Sequence, residues 1–560
     1  MAVTIQELFD EGRSLHRAGK LAEAAGVLQR CLEMAPRADA ACMELGHVLR
    51  DMGKLQEAVA MYQRALSIQP ANAGALNGLG NAMRLLKEYD RAIAAFGQAL
   101  RVDPNQVQAH HNLGLALLEK GAAREAAGSF RRALELEPNS RRTYVSLIQA
   151  LGDSRDNAVG LEAAKKAAAL WPRDAEFQAD LGRFLFETDQ TEQAVAAYRR
   201  AVELEPGQVA THNNLGNALR QLGRFSEAKA EFARCLTLQP DFAPAHWNMS
   251  LLRLLDADLP GAWEEYEWRL TVPELSIQHH FRQPRWDGSD LNGRRILLHA
   301  EQGFGDVLHF VRYAPLIARR GGQVILAVHP ELVWLLGGVE GVKKCVPLAQ
   351  INVDFDVHCQ LMSLPHFFKT TLDTVPAEVP YIRADSARAA RWRARMKGDG
   401  PFDPAQGRRK KIGLFWSGHR VPDQRRSARL MEWAELARAR GVRWISLQKG
   451  PASAEARVPP AGMEIDDWAQ ELIDFSDTAA LIDALDMVIT IDSAVAHLAG
   501  AMGKGVWLLL PQVPTWRWML DRKDSPWYPT MRIYRQERLG DWSGVIRTVV
   551  DDLNETKWAR

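Results

Sequence analysis

Asp492, Ser493 and His497 lie within six residues of one another, where the apolar run Met487–Ile491 gives way to the small-residue stretch Ala494–Met502. The run reads as a buried strand, the stretch as a helix that Gly503 can close, and Val506–Leu510 as the next strand. A helix that starts at the carboxyl end of a parallel strand offers unpaired N–H groups and the positive end of its dipole to an anion. The chemistry this spacing allows is anion binding, with a carboxylate, a hydroxyl and an imidazole beside it. A plainer reading fits the same residues: Asp492 and Ser493 as helix caps, His497 as a core histidine.

A second candidate lies earlier in the chain. Gly303-Phe304-Gly305-Asp306 forms a tight turn between a strand at Arg294–Ala300 and an amphipathic helix at Val307–Arg319, and another strand follows at Gln323–His329. The glycines let the backbone approach a ligand, and Asp306 stands either in a site or as the N-cap of the helix. Further strands are expected at Lys344–Leu348 and Phe355–His358, and a helix at Ser386–Met396. The Gly/Pro/charged segment 397–410 reads as a linker. The alternation then restarts, with strands at Lys411–Trp416 and Arg443–Gln448, helices at Met431–Arg440 and Thr478–Ala484, the 487–511 unit, and a last helix near Trp542–Leu553 that could cross onto the first half. Two α/β halves, 273–396 and 411–560, would thus turn strand ends and helix starts towards a shared cleft.

Prolines at 36, 70, 104, 138, 172, 206 and 240 set a strict period of 34 over the first half of the chain. Small residues recur 24 and 12 positions before them (Gly46 and Ala58, Gly80 and Ala92), and bulky residues such as Leu28, Tyr62, Phe96, Phe130, Tyr198 and Phe232 fill the seam between two helices. Each proline ends a second helix, because its ring blocks continuation. Ile148 and Ala164 break the pattern, so the fifth unit should be the least regular. These residues resemble the tetratricopeptide repeat: seven units over 1–240, then a degenerate capping unit over 241–272 that carries Gly261-Ala262-Trp263-Glu264-Glu265-Tyr266. Such repeats stack into a superhelix whose groove holds protein partners. Asn77, Asn81, His111, Asn112, Asn213, Asn214 and Asn217 are positioned either to bracket an extended acceptor polypeptide or simply to keep one face polar.

Charge nearly cancels, with 70 Lys+Arg against 69 Asp+Glu, which does not suggest a nucleic-acid or anionic-membrane binder. The five cysteines are scattered, without a C-x-x-C, and read as reduced packing thiols of a cytoplasmic protein. No apolar stretch approaches the ~18 residues a membrane helix needs, and no metal-ligand spacing is present.

The second half resembles the GT-B glycosyltransferases, and among them heptosyltransferase-like enzymes that follow tetratricopeptide repeats; the layout is also similar to the O-linked N-acetylglucosamine transferases. The resemblance rests on Glu301-Gln302-Gly303-Phe304-Gly305-Asp306, Trp416-Ser417-Gly418, Arg425-Arg426-Ser427, Ser446-Leu447-Gln448-Lys449, Asp492-Ser493-Ala494-Val495-Ala496-His497 and Asp524-Ser525-Pro526-Trp527-Tyr528-Pro529. It implies an α + α/β chain: a repeat solenoid followed by a GT-B module of two Rossmann-like halves. It also implies Asp306 as general base on the acceptor side, provided the cleft raises its pKa, and His497 hydrogen-bonded to the donor. Donor binding would fall to Ser417, Gly418, Arg426, Gln448, Lys449, Asp492, Ser493 and Ala496, without metal or cofactor.

The expected activity is metal-independent, inverting transfer of a sugar from a nucleotide sugar to a Ser or Thr hydroxyl of a protein held by the repeats, with flagellin a reasonable acceptor by resemblance. The alternatives are a glycan-directed transferase, and a scaffold whose GT-B module only binds nucleotide. Trp516 and Trp518 read as packing residues, with stacking on a sugar or base as the other possibility.

Overall fold

The computed structural model describes residues 4–273, 275, 281–396, 409–418 and 425–555. Most of the 397–410 linker therefore lies outside the described residues, and Lys410 already belongs to a strand. The chain divides into two compact units, Met1–Ala218 and Leu219–Arg560, with the division inside the helix Val209–Gln221.

The first unit is a ladder of helix pairs, 13 residues in the first helix and 14 in the second, from Ile5–Arg17 and Leu21–Met34 to Ala175–Glu187 and Thr191–Leu204. The small-to-large seam explains the pairing. A Cβ on Gly46 would come 2.8 Å from the Tyr62 ring, and one on Gly80 2.7 Å from Phe96. Tyr62 and Phe96 are fully buried there. In the fifth pair, Arg141–Asp153 and Asn157–Leu170, Ile148 replaces the glycine and Ala164 the aromatic. Its helices pack less closely than those of the neighbouring pairs, as the exchange of bulk predicts.

The second unit opens with the helices Phe225–Leu238, Ala243–Leu255 and Leu259–Tyr266. Two sheets follow, every strand parallel to its neighbours. The first holds β1 (Arg295–His299), β2 (Gln323–Val328), β3 (Val342–Pro347) and β4 (Val357–Gln360) in the order β3-β2-β1-β4. The second holds β5 (Lys410–Phe415), β6 (Val442–Ser446), β7 (Ile465–Asp467), β8 (Met487–Ile491), β9 (Gly505–Leu510) and β10 (Met531–Arg535), in the order β10-β9-β8-β5-β6-β7. All-parallel sheets carry near-continuous apolar runs because both faces are covered, and β8 is buried at every residue. The fold is thus a repeat solenoid followed by parallel α/β sheets.

Three expectations about helices are corrected. The helix expected at Met431–Arg440 is a 3-10 helix spanning Leu430–Arg438. Val307–Arg319 is not one helix: Phe304–Phe310 is followed by a 3-10 turn at Val311–Tyr313 and a short helix Ala314–Arg319, with Pro315 in its first turn. The last helix, Trp542–Glu555, does not cross to the first sheet. Its Trp542, Ile546 and Val549 join Ile412, Leu414 and Trp433 in the core of the second. The crossing element is Ser386–Arg395, where Arg388 bonds Asp477 at 2.7 Å, Arg393 pairs with Asp483 and Trp392 lies against Trp468.

Candidate functional site

The helices Phe304–Phe310 and Ala494–Ala501 start at the carboxyl ends of β1 and β8 and lie against each other. Gly305 makes the approach possible, since a Cβ there would fall 3.0 Å from His497 Cδ2. Ser493 alone caps the second helix, its Oγ accepting from the Ala496 amide at 3.3 Å and meeting Thr490 Oγ1 at 3.1 Å. That bond takes up the Ala496 N–H and leaves the Ala494 and Val495 amides without a partner among the described residues. Asp492 is no cap: it is buried and accepts from Thr515 Oγ1 at 2.9 Å.

Asp306 is not a cap either. It lies inside the first turn of a helix whose N-cap is Gly303, and its carboxylate forms an ion pair with Arg517, from the turn Trp516–Trp518. The Arg517 guanidinium also lies 4.5 Å from the Trp516 ring centre. Burial is the largest single effect on Arg517 and opposes its charge, but Asp306, Tyr266, Asp492 and Tyr528 together outweigh it and the arginine's pKa is raised.

His497 is 4% exposed and stacks on Trp518, ring centres 5.2 Å apart. Its Nδ1 lies 2.9 Å from the Tyr528 hydroxyl, which lies 3.2 Å from Nδ1 of His309 as well. Burial, then the nearby Arg517, Arg312 and Arg426, holds His497 well below the usual histidine range. Burial does the same to His309, with Arg312 next in effect. Both imidazoles are therefore neutral at neutral pH.

Arg312 is 3% exposed, yet among the described residues its bonds go only to neutral groups: the carbonyls of His309 and Trp527, each at 2.7 Å, that of Pro376 at 3.4 Å, and the Tyr381 hydroxyl at 2.8 Å. Three guanidinium groups thus act on His497; Arg517 is paired with Asp306 and also feels Asp492, whereas Arg312 is a buried cation with no carboxylate among its bonds to the described residues.

Several expected donor ligands are occupied by the protein itself. Gln448 is a clip rather than a donor ligand: its Oε1 accepts from the amides of Trp416 (3.1 Å) and Ser417 (2.9 Å), and its Nε2 donates to the carbonyls of Ser417 (2.6 Å) and Lys449 (2.9 Å). With all four of its bonding positions used, the amide locks β5 to β6 beyond their ends. The Ser417 N–H is consumed in that clip, and the Gly418 N–H donates to Ser427 Oγ at 3.0 Å. The Lys449 ammonium donates to the Leu472 carbonyl. Arg426 differs: its buried Nε has no partner among the described residues.

His309, Arg312 and Arg517 belong to no motif of the sequence, and Tyr528 stands there only as a member of a signature without a role. The signal available was the Asp524–Pro529 signature, and its physical role is now visible. Trp527 and Tyr528 are fully buried and supply Arg312 with a carbonyl and the two histidines with a hydroxyl. Trp516 and Trp518 are core residues, Trp516 lying edge-on to Trp263 at 5.7 Å and Tyr266 at 6.0 Å.

Family comparison bears on the helical ladder. Models described as TPR repeat or tetratricopeptide repeat match residues 46–86, 80–121, 107–140, 182–223 and 209–242. The N-terminal region is built of tetratricopeptide repeats. Protein FlbA of Caulobacter vibrioides is 28% identical over 327 residues, covering 52% of this chain and 52% of that protein. The chain therefore spans about half the length of the curated relative it matches. Similar solved structures include YrrB, described as a TPR protein with an unusual peptide-binding site, at 21% identity and a TM-score of 0.31 over 33% of this chain and 95% of that one. MamA gives 22% and 0.29 over 31% and 96%. The C-terminal part of a TPR repeat-containing protein from Cytophaga hutchinsonii gives 16% and 0.38 over 43% and 99%.

Tetratricopeptide repeats are modules that bind protein partners. Among the amides expected to do so here, Asn112 Nδ2 donates to Asn77 Oδ1 at 3.0 Å, linking two repeats, and Asn81 accepts from Arg84 at 3.2 Å. Asn213 is buried, while Asn214 and Asn217 are half-buried. His111 is corrected from groove to core: it is 1% exposed, bonds Thr143 Oγ1 at 3.1 Å and sits beside the Phe130 ring. Among the described residues no helix is long and apolar enough to cross a membrane, and no cluster of three His, Cys, Asp or Glu could hold a metal.

Proposed function

We propose that the chain is a glycosyltransferase of GT-B type, acting in the cytoplasm on a nucleotide-sugar donor, with a Ser or Thr hydroxyl of a protein held by the repeats as acceptor. One observation carries the reading. In the first turn of a helix that follows a buried parallel strand, a neutral buried histidine lies within the electrostatic reach of Arg517, Arg312 and Arg426. Fixed positive charge there stabilises the negative charge that builds on a departing nucleotide, without a metal. Asp306, on the helix packed against this one, is read as the base for the acceptor's proton, a role that requires Arg517 to leave the carboxylate for the donor.

A scaffold reading has its own support, because the Ser417 and Gly418 amides and the Lys449 ammonium already have protein partners. The test is intact-mass analysis of candidate acceptors, flagellin first, from cells carrying the normal chain or the His497→Gln form. The transferase reading expects a sugar-sized increment that the substitution removes while the chain stays abundant. Equal masses from both, and from a deletion strain, count against that acceptor; no nucleotide release from any nucleotide sugar then favours the scaffold.

A further inference from the structure

His309 and Tyr528 form a chain with His497 that reaches from the first half of the second unit to the candidate site. The phenol holds one proton and lies within bonding distance of two Nδ1 atoms, at 2.9 Å from His497 and 3.2 Å from His309. Tyr381 and Arg312 also act on the Tyr528 hydroxyl, but the Tyr381 O–H donates to the Leu308 carbonyl at 2.9 Å and its oxygen accepts from Arg312 at 2.8 Å. Burial keeps Tyr528 well above the usual phenol range, so its proton stays on.

The two neutral rings are therefore coupled. Whichever ring accepts the Tyr528 proton at Nδ1 must carry its own hydrogen on Nε2. The other ring must donate from Nδ1 and leave Nε2 bare.

The surroundings of the two Nε2 atoms decide between the arrangements. His309 Nε2 is buried without a partner among the described residues, and its ring is flanked by those of Phe310, Trp516 and Trp527. A buried N–H with no acceptor is rarer in proteins than an under-used acceptor. Nε2 of His497 also lacks a protein partner among the described residues, but it faces the Gly305 backbone, 3.7 Å from where a Cβ would sit, and Arg517 is the charge that acts on the ring most. An N–H there can donate to an anionic oxygen bound at this turn.

We infer that His309 and Tyr528 are positioning residues that fix His497 as an Nε2–H donor aimed at an anionic oxygen, so that His497 acts as a neutral hydrogen-bond donor and not as a base. His309 Nδ1–H donates to the Tyr528 oxygen, and Tyr528 O–H donates to His497 Nδ1. The identity of that oxygen as donor phosphate rests on the proposed function; the hydrogen-bond chain does not.

The test is imidazole nitrogen NMR on the full chain with isotope-labelled histidine, the two signals assigned by their loss in His309→Gln and His497→Gln. The expected result is hydrogen on Nε2 of His497 and on Nδ1 of His309, with the His309 preference lost in Tyr528→Phe. The opposite pair of tautomers, or a mixture at both rings in the unaltered protein, overturns the inference. Inorganic pyrophosphate is the ligand probe: it should shift the His497 Nε2–H signal, and Tyr528→Phe should weaken its binding by the fraction of His497 that leaves the Nε2–H tautomer, about twofold for an even mixture. Fixed tautomers with no pyrophosphate response would leave the relay standing and remove the nucleotide-sugar reading instead.

Discussion

Burial holds His111 down to about 4, with Arg142 and Arg84 adding to it, and holds His309 and His497 well below their usual range. A histidine whose folded pKa is depressed binds fewer protons in the native state than in the unfolded one, so its contribution to stability is present above about pH 6.5 and is lost as pH falls. His16 works in the opposite sense: Glu44 and Asp51 raise it against the effect of burial. In denaturant unfolding between pH 7 and 5, His111→Gln should therefore lose less stability than the unaltered chain, by about 1 kcal/mol for each pH unit below 6.5. Equal slopes would contradict the burial of that ring. The Asp306–Arg517 pair makes a second prediction. Asp306→Ala leaves a buried guanidinium without its carboxylate and should destabilise by about 3 kcal/mol, whereas Asp306→Ala with Arg517→Met should recover most of that. A double variant no more stable than the single one would show that the pair holds nothing together.

At the scale of elements, period and apolar runs were enough to read most of the fold. The repeat helices announce themselves through residues 34 apart, and β8 matches its expected span because an all-parallel strand is apolar throughout. β7 and β10 escaped for the converse reason: Ile-Asp-Asp is short and half-exposed, and Met531–Arg535 mixes exposed and buried residues. Gln448 looked like a ligand because an amide in a signature suits either role, and only its four partners reveal a clip. His309, Arg312 and Arg517 were hidden because their partners lie more than 200 residues away. The repeat seam allows a sharp test. Gly80→Ala would set a methyl 2.7 Å from the Phe96 ring, and overpacking should destabilise by about 1–3 kcal/mol. Gly97→Ala meets only the far end of Arg101 at 3.9 Å and should stabilise by about 0.5–1 kcal/mol, as alanine does in a helix interior. Thermal or urea unfolding of both variants checks the pair of signs; equal shifts would contradict the seam.

Within the second unit the last repeat does more than close the ladder. Trp263 donates to the Thr370 carbonyl at 2.8 Å, and Trp263 and Tyr266 support Trp516, next to Arg517. Arg269, 1% exposed, bonds Glu301 at 2.9 Å and Ser363 at 2.7 Å at the end of β1. The repeat sequence thus continues into the support of the candidate site, as the missing closing proline of the degenerate unit suits a repeat that docks on the next domain. The central claim is that this site turns over a nucleotide sugar, and nucleotide release from a panel of nucleotide sugars by the purified full chain tests it most directly. The account predicts slow release from at least one donor, reduced at least about tenfold in His497→Gln, the loss expected from roughly one hydrogen bond to the departing phosphate. Thermal stabilisation by nucleotide with no release from any donor would contradict it and leave a binding scaffold in its place.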